Sequence, residues 1–238
     1  HTITLNASLI VFLSCTKIFF TNFAQKRYIM TGVVLSTAYF PNIQYFTKLV
    51  SNETVFIEYH EHFMCQSFRT RSCIYGANGL QTLNVPVEKY SNNTKISEIK
   101  VAYHPEWQKI HWRSIMSAYN NSPYFEHYAD SIKPIFKKKY ELLFEMNLEI
   151  LQLLLEILKI SVDIRQTENY ETSIDNDWRN GIHPKKQYSK IDDSFEPFRY
   201  YQVFAHKHGF IPNLSILDTI FCEGPATINI INKSIKAV

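Results

Sequence analysis

From Val33 onward the spacing of apolar positions separates strands from helices. Val33–Val50 (VVLSTAYFPNIQYFTKLV) begins as a short apolar run, then sets Ile43, Phe46, Leu49 and Val50 on one stripe. A run of that kind fits a buried strand and the 3–4 spacing an amphipathic helix; Tyr39-Phe40-Pro41-Asn42 between them predicts a tight turn. Thr54 to Phe63 alternates and is β-branched at its start, so a second strand is expected there, with Cys65 to Tyr75 as its hairpin partner or continuation. Gly76 to Gly79 reads as a turn, and Gln81–Val87 and Ile96–Val101 as further short strands.

Past Pro105 the period becomes helical. Trp107, Ile110, His111, Ser114, Ile115, Ala118 and Tyr119 form one stripe, and Asn120 to Pro123 breaks the chain before a further helix. Pro134 sits at the start of the next helix. Lys139 to Lys159 is the longest, with Leu and Ile around much of its circumference, as in a central packing helix. Asp163 to Lys190 is polar and aperiodic and reads as a long excursion. Pro212 to Phe221 returns to helix, capped by Asn213 and ended by Gly224-Pro225. The fold class expected is α/β: a single mixed domain that opens with strand-turn-helix, with short strands in its first half and helices in its second.

Residues 1–29 stand apart. Their apolar runs are short, and their basic residues follow the apolar stretch where a secretory signal needs them before it. The expectation is a non-native or disordered extension, 1–29, ahead of a domain at 30–232. Charge sharpens the division. The extension holds Lys17, Lys26 and Arg27 and no acid, so it carries the whole net charge of +3. A domain without basic surplus has no electrostatic footprint for nucleic acid or an anionic membrane. Cys15, Cys65, Cys73 and Cys222 form no Cys-x-x-Cys pair, which fits a reducing, cytoplasmic location and neither a disulfide framework nor a metal cluster. Aromatic content of 15% with only 6 glycines in 238 residues suits a core, or a cleft, built from rings.

Four groups of residues can carry chemistry. His60 and His62, two apart on the expected strand, would share a face with Glu58; they suit a metal, or simply a partly exposed strand. Arg69 and Arg71 would repeat that spacing, either gripping a phosphate or carboxylate or pairing across strands with Glu58 or Glu61. His111 lies on the first long helix beside Trp112 and Arg113. Finally, Asn213 and Ser215 stand at a helix start that could take an anion on its free N–H groups, with Asp218 one turn in. Neither a phosphate loop nor a nucleophile elbow occurs, so no cofactor is implied and no metal site is assigned.

Several of these residues also carry a resemblance. Ala38-Tyr39-Phe40-Pro41 with Gln44-Tyr45-Phe46-Thr47-Lys48, Gln66-Ser67-Phe68-Arg69-Thr70-Arg71, Leu83-Asn84-Val85-Pro86-Val87, Trp107 with His111-Trp112-Arg113, Ser122-Pro123-Tyr124-Phe125, and Gly209 to Asp218 occur in the order seen in the WbqC-like family of bacterial proteins. The chain resembles that family from about Val33 to Pro225, although Ser36-Thr37-Ala38 stands where members often have His-Gln-Pro. The family is associated with cell-surface polysaccharide gene sets. The resemblance therefore implies a cytoplasmic transferase acting on a nucleotide-linked amino sugar, with His60, His62 or His111 as base and Asp218 orienting it or accepting a proton. Tyr39, Asn42, Arg69, Arg71, Asn213 and Ser215 would hold the small anionic or sugar-nucleotide ligand. The other reading is a non-catalytic module binding an anionic ligand or partner through the same arginines.

Overall fold

A computed structural model describes residues 32–236. The extension expected at 1–29 lies outside them. Strand β1 (Val33–Ser36) runs through the Tyr39–Asn42 turn into helix α1 (Ile43–Val50), whose N-cap Asn42 accepts a hydrogen bond from the Tyr45 N–H. The chain returns as β2 (Thr54–Glu58), which pairs in parallel with β1, Val33 opposite Val55 and Ser36 opposite Glu58. Val33, Val34 and Leu35 are fully buried, as expected of a parallel strand covered on both faces; burial of each such side chain contributes about 1.5–3 kcal/mol.

The third strand comes from far along the sequence. β3 (Arg71–Gly76) and β4 (Gly79–Asn84) form a separate antiparallel hairpin, and helices α2 (Trp107–Tyr119), α3 (Phe125–Ile132) and α4 (Leu143–Leu158) follow. Only then does β5 (Asp163–Gln166) add itself in parallel to β2. On the other side of β1, Asp177 makes a parallel bridge with Val34, with Val34 N–H donating to Asn176 O and Trp178 N–H to Val34 O. The spatial order is thus 176–178, β1, β2, β5. One turn of helix, α5 (Ala205–His208), and helices α6 (Ile216–Glu223) and α7 (Thr227–Lys233) complete the described chain.

The mixed α/β class, with strands early and helices late, is what the sequence pattern implies. Several local expectations are corrected. β2 ends at Glu58 and not at Phe63, because the Glu58 carboxylate itself accepts the His60 N–H at 2.8 Å and turns the chain out of the ladder. Residues 65–75 do not pair with β2; β3 takes β4 instead. Ile96–Glu98 is a 3₁₀ turn and not a strand: Ile96 and Ile99, three apart, both face the core. Pro134 lies in another 3₁₀ turn, Lys133–Phe136. The long helix begins at Leu143, since Glu141 O is already taken by Val101 N–H. Ile110 faces outward on α2. The excursion at 163–190 contains β5 and the 176–178 pairing, both hidden from periodicity by their polar side chains. No helix among the described residues is long and apolar enough to cross a membrane.

Candidate functional site

The three segments expected to form the site do meet, but as a knot of hydrogen bonds. Phe40 stands at φ +42°, and its carbonyl is held by two hydroxyls, from Ser72 (3.0 Å) and Ser215 (2.9 Å). Tyr39 N–H donates to Phe68 O, Ser215 N–H to Cys73 O, and Ile216 N–H to Pro41 O. α6 therefore has no free N–H groups for an anion at its start: Ser215 caps Leu217, and Asp218 N–H returns to Ser215 O. Ser215 and not Asn213 is the N-cap; Asn213, at φ +55°, instead accepts the Gln44 N–H through Oδ1. Asn42 is buried with its oxygen capping α1. Asp218 is buried under Tyr119 OH (2.8 Å), Tyr200 OH (2.7 Å) and Gln202, and burial pushes its carboxyl up to about 6. It has no contact with the arginines.

The histidines are scattered. His111 is buried, its Nδ1 2.9 Å from Tyr39 OH, and burial holds its pKa down at about 4, so the ring is neutral at pH 7. His60 and His62 follow the end of β2 and do not share a strand face. His60 lies against the Tyr59 ring, and His62 is exposed with its backbone bridged to Lys95. Among the described residues no group of three or more His, Cys, Asp or Glu side chains is arranged to hold a metal ion.

A different set of charges gathers where β2 ends. Glu58, 0% exposed, accepts from His60 N–H, Thr167 Oγ1 (2.8 Å) and Arg179 Nη1 (2.8 Å). Arg179 also grips Asp177 and donates to Glu171 O, and the Tyr170 ring lies 4.4 Å from its guanidinium carbon. Beside it, Arg69, 2% exposed, is held by both oxygens of Glu61, with Nε 2.7 Å from Oε1. Arg69 Nη2 also reaches Arg179 O and Asn180 Oδ1, joining the two ion pairs into one network. Burial pushes the Glu61 carboxyl up against the pull of the Arg69 guanidinium. Of the two alternatives for Arg69, the fold adopts pairing with Glu61, through loops and not across strands.

Buried ion pairs add little net stability, because desolvation offsets the Coulomb gain, and charge gathered beyond the carboxyl ends of parallel strands is common at binding crevices. Arg69 Nη1 has no acceptor among the described residues. Nearby, His183 is 8% exposed and its pKa is lowered, first by burial and then by the positive charges of Arg69, Lys185 and Arg71. Its Nδ1 accepts the Lys185 N–H at 3.0 Å, so the neutral ring keeps its proton on Nε2 and offers a donor. Arg71 is half-buried, makes a long 3.4 Å bond to Asn84 Oδ1 and has no carboxylate partner among the described residues. It lines a cleft of about 170 Å³ with Gln66, Thr70, Asn84, Cys65 and Tyr90. Arg179 and His183 escaped sequence reasoning because they lie in the polar excursion. The one signal there was Trp178, Gly181, Ile182 and Pro184 interrupting the polar run.

Fold and site together define an α/β protein with a charged corner at the carboxyl end of a short parallel sheet. The chain belongs to the WbqC-like protein family, whose model matches residues 37–188. That span includes Glu58, Arg69, Arg71, Arg179 and His183 and stops short of α6 and Asp218. The chain is also 28% identical over 141 residues to the uncharacterized protein Rv1507c of Mycobacterium tuberculosis, covering 58% of this chain and 60% of that protein. No solved structure matches.

Proposed function

We propose that the protein binds a phosphate-bearing ligand, in the first instance a nucleotide-linked amino sugar, over Arg71, His183 and the unpaired Nη1 of Arg69. Its role in this reading is group transfer in cell-surface polysaccharide assembly, in the cytoplasm. The observation that carries it is Arg71, which lines a cleft with no carboxylate partner among the described residues; the positive charges of Arg69 and Arg71 both act on His183. Guanidinium N–H groups and the imidazole Nε2–H then face the same anion, and charge-assisted bonds of this type are the strong ones. Glu61 acts by holding Arg69 in place. Tyr39, Asn42, Asn213 and Ser215 support the turn behind the site, and His60 and His62 remain the candidate bases nearest the end of β2.

A second reading, a binding module without catalysis, is favoured by one detail: with Nδ1 accepting the Lys185 N–H, the neutral His183 ring has a donor to offer and no free lone pair. The two readings separate in one set of measurements. Nucleotide-linked amino sugars and inorganic pyrophosphate should raise the melting midpoint by mass action. Arg71→Ala and His183→Ala should each weaken binding by about 10- to 150-fold, the equivalent of roughly 1.5–3 kcal/mol for a hydrogen bond to a charged group. Product formation with activated donors, followed by mass spectrometry, would establish a transferase; binding without turnover would leave the module. Wild-type affinity in both variants would sink the site itself.

A further inference from the structure

A larger cleft, about 310 Å³, opens away from this corner. It is lined by Lys48, near the carboxyl end of α1, by Ser51 and Asn52, just before β2, and by Asn176 and Trp178, which flank the Asp177 bridge to Val34 of β1. It therefore belongs to the amino end of the sheet, whereas the Arg69 network stands past the carboxyl end of β2.

The chemistry of the lining is selective. Lys48 Nζ lies 2.7 Å from Asp192 Oδ1 and 2.8 Å from Ser194 Oγ, with Lys48 and Asp192 side chains 7% and 5% exposed, so the cation in the lining is already neutralised; Lys190 Nζ, 5.9 Å from the Trp178 ring centroid, donates to Asp177 O. An anionic ligand finds no unpaired cation in the lining, and a cation finds no carboxylate there. An apolar ligand would strip water from the Asn and Ser side chains without replacing their bonds. What remains unspent is neutral: Asn176 Nδ2 and Asn52 Oδ1 share only a long 3.4 Å bond, and the Ser51 hydroxyl stands exposed at the mouth. Amides and hydroxyls offer donors and acceptors side by side, which is what a polyhydroxylated molecule requires.

Trp178, half-buried, adds the apolar part of the lining. The indole is fixed: Lys48 Nζ lies 3.9 Å from the ring centroid, and Nε1 donates to Asn176 Oδ1 at 2.9 Å. Gly181 packs so closely that a Cβ there would meet Trp178 Cε3 at 2.6 Å. A rigid amphipathic wall costs little ordering on binding. The volume falls at the lower end of the range for small-molecule sites, about 300–1,000 Å³. We infer that this cleft is a binding site for a neutral saccharide, separate from the anion corner.

The test is saturation-transfer NMR on the full chain with neutral methyl hexosides and N-acetylhexosamine disaccharides, with inorganic phosphate as the charged control. Ser51→Trp blocks the mouth from an exposed position at the end of α1, and Asn52→Ala removes one amide; circular dichroism confirms that both fold. Transfer to a neutral saccharide that falls at least tenfold in Ser51→Trp, and persists in Arg71→Ala, supports the site. No transfer to any neutral saccharide, or undiminished transfer in a folded Ser51→Trp, overturns it. Either result leaves the anion-binding reading to its own experiment.

Discussion

Arg69 and Arg71 lie two residues apart, and the structure separates their fates. Arg69→Ala removes a guanidinium that is 2% exposed and strands Glu61, whose side chain is 6% exposed, with a charge that, among the described residues, Arg69 alone neutralises by direct contact. Breaking a buried pair from one side costs about 3–5 kcal/mol, because the surviving ion keeps its desolvation penalty and loses its partner. In a domain of this size each kcal/mol shifts the melting midpoint by roughly 2–4 °C, so a fall of about 6–20 °C is expected. Arg71→Ala removes one long bond to Asn84 at a half-buried position, and the cost should stay below about 1 kcal/mol. Urea denaturation followed by circular dichroism gives both values directly. The double variant Glu61→Gln/Arg69→Met should recover most of the loss, since two neutral groups carry no desolvation penalty for charge. An Arg69→Ala protein within about 1 kcal/mol of wild type would refute the reasoning, because an uncompensated buried carboxylate cannot be that cheap.

Asp218 gives a pH-dependent expectation. Its carboxyl is raised to about 6 by burial, against about 3.9 in an unfolded chain. A raised folded pKa means that its contribution to stability is fully present below about pH 4 and is lost as pH rises through about 6, roughly 3 kcal/mol in all. Asp218→Asn abolishes that dependence, so its stability relative to wild type should improve by about that amount between pH 4 and pH 7; a difference that stays constant with pH would count against the raised pKa. Lys159 closes α4 at φ +55° and is exposed. Lys159→Gly should therefore stabilise the protein by about 1 kcal/mol in thermal melts, because a left-handed backbone is strained for any residue with a Cβ; a destabilised variant would show that the lysine side chain matters more than the backbone.

Local chemistry was enough for the opening of the fold. An apolar run, Pro41, a capping Asn42 and a 3–4 stripe lie within eighteen residues, and β1, the turn and α1 appear where that pattern puts them. The Gly76–Gly79 turn, though not the β3–β4 pairing across it, and most of the inner face of α2 were legible for the same reason, since each is settled by neighbours in sequence. β5 was not. As Asp-Ile-Arg-Gln at the edge of the sheet it leaves most of its side chains in water, so no alternation marks it. The site divides in the same way. Arg69 and Arg71 could be named from their spacing, but whether a guanidinium faces water or a buried carboxylate depends on what packs above it. Glu58 meets Arg179 across 121 positions of chain, and His183 gains its place beside Arg69 only when the excursion folds back over the sheet. Periodicity reports which face of an element is buried; it carries no information on which distant charge will share that burial, and tertiary packing alone decided it.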